Sequence, residues 1–299
     1  MSEHNLEAMV AALEATGDYR VMRRFQPRAH YWGPSPSGVS RGLIVDVETT
    51  GLDAATDRII EFGAVPFDFD SEGRVYAVHE PLSYFEDPER PIPAKVVELT
   101  GITDDMVRGH RIDDEAVRTA IAQTQLVIAH NADFDRKFLE RRFPDFASKH
   151  WACSLTEVPW DAFGIGGRKL EYLLFKGCGE FHTGHRATDD CLATLHVLVT
   201  PKNGEQWPLA ALLPRARKKV FRLWAPDTSY DVKGQLRDRG WRWHSGSPKR
   251  PKSWYFDGET EIAAQEEKAW VEANGYIGRP PRTSIELLTG KERYSERAE

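Results

Sequence analysis

The apolar positions of this chain fall into two spacings that succeed one another along its length. Over residues 5–15, Leu6, Met9, Val10 and Leu13 recur at helical spacing until Gly17 interrupts them, which predicts a short amphipathic helix. At 42–48 the run GLIVDVE is compact and apolar, ends in two acids and meets the turn-prone TTGLD, as a buried central strand does. RIIEFGAVPFDFD (58–70) and RVYAVHEPLSYFED (74–87) predict two more strands, joined as an antiparallel hairpin through Ser71-Glu72-Gly73. Helical patterns cover 93–100 and 113–123. QLVIAH (125–130) reads as a strand, ADFDRKFLERRF (132–143) as a helix and WACSLTE (151–157) as a strand. Residues 168–176 and 187–199 complete the series as helices, the second turning Cys191, Leu192, Leu195 and Leu198 inward. Five strands in this order make a mixed sheet flanked by helices, an α/β architecture.

The pattern changes on either side of this block. Residues 1–40 hold the first helix, the basic positions Arg20, Arg23, Arg24, Arg28 and His30, read as a solvated face, and the linker-like WGPSPSG. The block itself spans 41–200. TPKNGEQWP (200–208) and the following PRARKK place a linker at 201–217. Residues 218–299 form a small Trp- and Arg-rich α+β domain containing Trp224, Trp241, Trp243, Trp254 and Trp270. In WRWH and SWYF, alternation places Trp241 with Trp243, and Trp254 with Phe256, on one strand face, with Arg242, His244 and Tyr255 on the other. A packed core is the first reading of these aromatics. The second is a surface for single-stranded nucleic acid, to which Lys233, Arg237, Arg239, Arg242, Lys249, Arg250 and Lys252 give substance, and a protein partner would use the same residues.

With 299 residues, 40% of them hydrophobic, the chain can bury one sizeable core and a second small one. A net charge of −6 excludes a polycation that wraps nucleic acid as a whole, so any such contact is local. Cys153, Cys178 and Cys191 are odd in number and lack metal-ligand spacing, so they read as buried free thiols. The N-terminus carries acids where a secretory signal needs a basic start, and no run spans a bilayer, so the expectation is a cytoplasmic protein without a membrane partner.

Three segments carry chemistry. Asp46 and Glu48 stand two apart at a strand end, which puts both carboxylates on one face, where they suit divalent cations. By itself a D-x-E pair is weak. AHNADFDRKFL (129–139) runs from a strand end into a helix and brings Asp133 and Asp135 towards the same edge. HRATDDCLATL (185–195) places His185 just before a helix and Asp190 in its first turns, a base and a ligand from one segment.

VDVETTGL, AHNADFD and HRATDD resemble, in order, the three exonuclease motifs of the DnaQ-like family over residues 40–199. His185, with Arg186 where the sister subgroup has tyrosine, points to the DEDDh branch. The resemblance implies a ribonuclease-H-like fold, which the element order also fits. It implies that Asp46, Glu48, Asp135 and Asp190 hold two divalent cations, Mg²⁺ or Mn²⁺, and that His185 is the general base. By the same resemblance Thr49, Thr50, Gly51 and Leu52 line the terminal nucleotide site, with Leu52 able to wedge against a base and Asn131 near substrate. Asp133 and Asp189 are expected to stay outside the ligand set, and His130 to hydrogen-bond at the strand end. The implied activity is a 3′–5′ exonuclease acting on the 3′ end of single-stranded DNA and releasing nucleoside 5′-monophosphates, in proofreading, repair or degradation. RNA is the alternative substrate, as in the RNase T and oligoribonuclease lineages, and an inactive nucleic-acid adaptor is the non-enzymatic alternative.

Overall fold

The computed structural model describes residues 3–201, 207–247 and 250–298. Along the chain run α1 (Glu3–Ala15), β1 (Arg23–Arg24), β2 (Ser40–Thr49), β3 (Ile59–Phe69), β4 (Val75–Val78) and β5 (Leu82–Phe85). Helices α2 (Ala94–Thr100), α3 (Asp104–Val107) and α4 (Asp114–Gln123) precede β6 (Leu126–Ala129). Next come α5 (Ala132–Arg142), β7 (His150–Cys153), α6 (Ser154–Glu157), α7 (Leu170–Leu173), β8 (Glu180–Phe181) and α8 (Ala187–Val199).

The central sheet has the order β4-β3-β2-β6-β7, with β5 also paired to β3. Strand β2 runs antiparallel to β3 and parallel to β6, which is itself parallel to β7. Both faces of β2 are covered, which is why its sequence is a continuous apolar run rather than an alternating one. Leu43, Val45 and Val47 pack with Val117 and Ile121 of α4 and with Phe138 and Leu139 of α5. Ile44 faces the other layer, with Leu195 and Leu198 of α8. The mixed sheet between helical layers is the expected ribonuclease-H-like architecture.

Several expected boundaries shift. The sheet has six strands rather than five, because 74–87 is divided at Glu80-Pro81; proline has no N–H for a ladder, and β4 and β5 pair separately with β3. Strand β7 ends at Cys153, whose N–H donates to the Glu157 carboxylate at 2.8 Å and starts the turn of α6 instead. The helix expected over 168–176 is only α7 followed by a π-type turn, Leu174–Cys178, closed by left-handed Gly179. The N-terminal 40 residues are not only helix and linker, since Phe25 is buried in the core with its ring 4.8 Å from that of His196. On α1 the apolar positions Leu6, Met9 and Leu13 are exposed.

The linker expected at 201–217 is corrected over its second half: Pro208–Arg217 is a helix, α9, and Leu209, Leu212, Leu213 and Ala216 are buried in the first domain's core. Proline fits the helix's first turn, where its missing N–H is no loss. Residues 202–206 lie outside the described residues, as does Lys249. Beyond α9 come β9 (Val220–Pro226), α10 (Lys233–Asp238), β10 (Arg242–His244), β11 (Ser253–Gly258), α11 (Glu261–Asn274) and β12 (Ser284–Leu288). The strands form an antiparallel sheet, β10-β11-β9-β12, with the expected alternation. Trp241 and Trp254 are buried with Leu223, Leu236 and Val271. No described helix is long and apolar enough to cross a membrane.

After β12 the chain returns to the first domain, so the C-terminal region is not a simple appendage. Arg136 of α5 is fully buried and donates to the carbonyl oxygens of Gly290 (3.2 Å), Lys291 (2.6 Å) and Arg293 (2.6 Å), while its Nε meets Glu140 at 2.6 Å. Arg293 in turn pairs with Glu157. Replacing Arg136 by methionine takes the buried guanidinium from Glu140 and from the Arg293 carbonyl, and leaves Gly290 O with only the Trp151 N–H and Lys291 O with only Arg297. Urea unfolding should show a loss of about 3–5 kcal/mol, the usual cost of removing one partner of a buried pair. A loss below 1 kcal/mol would mean that the tail is not held through this residue.

Candidate active site

The acids of the first motif converge with those of the third. Asp46 and Glu48 sit at the C-terminal end of β2 on the face covered by α8, and each offers an oxygen lying within 4.8 Å of the other and of Asp190 on α8. No hydrogen bond or ion pair to Asp46 or Glu48 side chains is made among the described residues. Two unengaged carboxylates beside a third at this spacing are a donor set suited to hard divalent cations.

Asp135 approaches from the opposite layer. It is 2% exposed, and its Oδ1 accepts the N–H of Val47 at 3.2 Å, between the two motif acids in sequence. It therefore stands beside the group of three rather than within it. Burial and crowding raise Asp46, Glu48 and Asp135 above their ordinary range. Asp46 is pushed well up by desolvation, then by Asp135, Asp190 and Glu48. Desolvation raises Glu48 to about 8, reinforced by Asp190 and Glu61, and raises Asp135 to about 7 against the pull of the backbone N–H bonds it accepts.

Asp190 is held on both oxygens. Oδ2 accepts the backbone N–H of His185 at 3.0 Å, and Oδ1 lies 2.6 Å from Nε2 of His182. His185 has φ of 67°, a left-handed conformation that a residue with a side chain rarely takes and that clusters at functional sites. The segment is anchored by Glu61 of β3, which accepts from Arg186 Nη2 at 2.8 Å and from the Ala187 N–H at 3.0 Å. Close approach is possible because residue 63 is glycine; a Cβ there would lie 2.4 Å from the Ala187 backbone.

The other expected residues divide. Leu52 projects into solvent, 87% exposed, at the tip of the loop after β2. Thr49, Thr50 and Gly51 build that loop instead of facing outward. Thr49 Oγ1 donates to Gly51 O at 2.5 Å, Thr50 Oγ1 receives Arg90 Nη2 at 2.7 Å, and Gly51 packs against Asp57. Asn131 is exposed where α5 begins. Asp133, paired with Lys137, and Asp189 are exposed and stand outside the acid group. His130 bridges Ser154 Oγ and Arg168 O, both at 2.8 Å, a strand-end tie. Two residues of the site carried no motif signal. Glu61 was visible only as an acid inside the apolar run RIIEFGAV, and it lies directly across the ladder from Glu48. His182 was visible only through its H-x-x-H spacing to His185.

The profile of the RNase T family, described as Exonuclease, matches residues 43–198. The PolC-type DNA polymerase III of Clostridium perfringens is 33% identical over 162 residues, 52% of this chain and 11% of that protein. The DNA polymerase III epsilon subunit of Treponema pallidum is 31% identical over 163 residues, 52% of this chain and 73% of the relative. This chain thus spans about a tenth of the PolC-type relative. Among solved structures, Exonuclease X in complex with 5′ overhanging duplex DNA aligns at a TM-score of 0.41 and 25% identity, covering 57% of this chain and 99% of that one. A zinc-bound complex of E. coli exonuclease I with single-stranded DNA aligns at 0.49 and 20% identity, covering 84% and 63%.

Two measurements test the geometry. In chelator, carboxyls whose folded pKa is raised favour folding below their unfolded pKa, near 4, and lose that contribution as pH rises through 7 and 8. The Tm of the metal-free protein should therefore fall between pH 5 and 8.5, and fall less in Glu48→Gln; equal slopes would contradict the raised Glu48 value. Removing the His182 tie should loosen Asp190, so His182→Ala should weaken Mn²⁺ binding about 10- to 100-fold by calorimetry. Unchanged affinity would make His182 a bystander.

Proposed function

The chain belongs to the RNase T exonuclease family, and from that membership and its acid cluster we propose that it is a metal-dependent 3′–5′ exonuclease. It removes nucleotides from the 3′ end of DNA and releases nucleoside 5′-monophosphates. The observation that carries this reading is the meeting of Asp46, Glu48 and Asp190 within 4.8 Å, with His185 bound through its backbone to the last of them.

In this reading Asp46, Glu48, Asp190 and Asp135 hold two cations, Mg²⁺ or Mn²⁺. When bound, such ions neutralise charge growing on the phosphoryl oxygens and on the leaving oxygen. The chain's own groups do the rest. His185 takes a proton from the attacking water, a role suited to a side chain that ordinarily titrates near 6.5. The Thr49-Thr50-Gly51 turn, braced by Arg90 and Asp57, holds Leu52 outward against the terminal base. Asn131 lies beside the strand's path. DNA is favoured over RNA because both relatives named above are DNA polymerase III proteins. A cytoplasmic location and a role in proofreading, repair or degradation accompany the reading.

The test is incubation of 5′-labelled single-stranded DNA and RNA with Mg²⁺, Mn²⁺ or EDTA. A metal-dependent ladder shortening from the 3′ end is expected, absent in Asp46→Ala and slowed about 10²- to 10⁴-fold in His185→Ala. Cleavage of neither polymer would overturn the reading, and RNA cut faster than DNA would move it to the RNA alternative. Equal rates in His185→Ala and wild type would take the base role from that residue.

A further inference from the structure

We propose that the C-terminal domain carries a binding platform for single-stranded nucleic acid, formed by Tyr230, Trp243, Lys233, Arg237 and Lys252, which holds the strand upstream of the scissile end. Its place on the substrate's path rests on the exonuclease reading; its chemistry stands on the residues alone.

The platform is a hollow of about 400 Å³ between the segment Asp227–Tyr230, α10 and the strands β10 and β11. Trp254, 6% exposed, is its floor, and Trp243 stands over it, edge to face at 5.4 Å, with about half of its own surface in solvent (52%). Tyr230 lines the hollow as well and is 78% exposed. Two large rings left in water beside a buried indole offer faces to a planar group.

The charges around these rings differ from those elsewhere in the domain. On the opposite face of the sheet the cations are spent: Arg222 and Arg242 both bind Asp257 (2.6 and 2.7 Å), Lys218 binds Glu259 (2.6 Å), and Arg250 binds Glu286 (2.6 Å). In the hollow, Lys233, Arg237 and Lys252 have no carboxylate partner among the described residues, and Lys233 Nζ lies 5.0 Å from the Tyr230 ring centre. The acid lining it, Asp227, is matched by Arg282 at 3.4 Å. Three unmatched cations around exposed rings take phosphates and unpaired bases together, the combination by which single strands are held without sequence preference. A duplex hides its base faces and does not fit.

Trp243 also lines a second, larger cleft of about 780 Å³ whose other side carries Asn131 and Asp133, at the start of the helix that bears Asp135. One ring therefore borders both the platform and a cleft that reaches the start of that helix. On the exonuclease reading, this cleft is the route by which a strand with its 3′ end at the acids extends to Tyr230.

The test uses the full chain in EDTA, which stops hydrolysis, and anisotropy of labelled dT and rU twenty-nucleotide strands. Tyr230→Ala and Trp243→Ala should each weaken binding about 5- to 100-fold. The triple variant Lys233→Glu/Arg237→Glu/Lys252→Glu should weaken it further and flatten the log Kd against log salt slope by about 2. Weakening with dT, rU or both supports the platform and names the polymer. No change with either, whatever else occupies the hollow, overturns it. Hydrolysis of a dinucleotide in Mn²⁺, too short to reach the hollow, should match wild type in every variant; its loss there would mark a general folding defect and overturn the proposal. If the wild-type chain does not hydrolyse the dinucleotide, the exonuclease reading fails while the binding data still decide the platform.

Discussion

Carboxylates that repel one another are held at the end of one strand, and this crowding sets the terms for everything near it. Two unit charges 4.8 Å apart, the outer limit among Asp46, Glu48 and Asp190, repel by about 3–4 kcal/mol at an effective dielectric near 20. Three such pairs amount to about 10 kcal/mol, as much as the whole stability of an ordinary domain. Burial already disfavours the charged forms, and this repulsion adds to it, so Glu48 is held near 8 and Asp46 well above its usual range. A divalent cation reverses the sign of the arrangement.

The surrounding fold keeps the acids in place against this force by fixing backbone rather than by neutralising charge. Asp46 and Glu48 are held because β2 lies between two helical layers, pairs with β3 at both residues, and is paired with β6 just before them, over Gly42–Ile44. Asp135 is tied to the Val47 amide, so the second motif is registered on the first. Asp190 depends on a longer chain of support. Glu61 binds Arg186 and the Ala187 amide, Gly63 lets α8 come down on β3, and His182 and the His185 amide then fix the carboxylate itself. Arg186, the cation of this network, is bound to Glu61 and offsets only part of the rise at Glu48.

Strong periodicity made the central part of this fold legible. The run ending in Asp46 and Glu48 had to be a buried strand, and α8 was bounded correctly from its inward leucines and the acids of its first turns. Where expectation failed, a local signal was outweighed by tertiary packing. TPKNGEQWP carries turn residues, yet Leu209, Leu212 and Leu213 find the open side of the core and make α9 a helix. Glu61 and His182 were invisible because nothing in one sequence marks a residue that acts through another; only the register opposite Glu48 and the contact with Asp190 reveal them. Thr50 and Gly51 illustrate the converse. Their motif is clear, but their bonds are spent on shaping a loop whose exposed element is Leu52.

The charge distribution resolves an apparent conflict between a net charge of −6 and a polyanionic substrate. At physiological ionic strength, charges more than about 8 Å apart are largely screened, so the sum over the surface matters less than the sign met locally. The acids that would repel a phosphate most strongly are the ones grouped as a donor set for cations. The remaining acids lining the cleft are matched by cations, Asp257 by both Arg222 and Arg242, Glu157 by Arg293 and Glu259 by Lys218. In the proposed reading, a strand meets the acid cluster that would hold cations at one end, a balanced cleft, and the unmatched Lys233, Arg237 and Lys252 beside exposed rings at the other. On that reading, attraction at both ends with neutrality between them would let a strand shift by one nucleotide without leaving, as stepwise removal from an end requires.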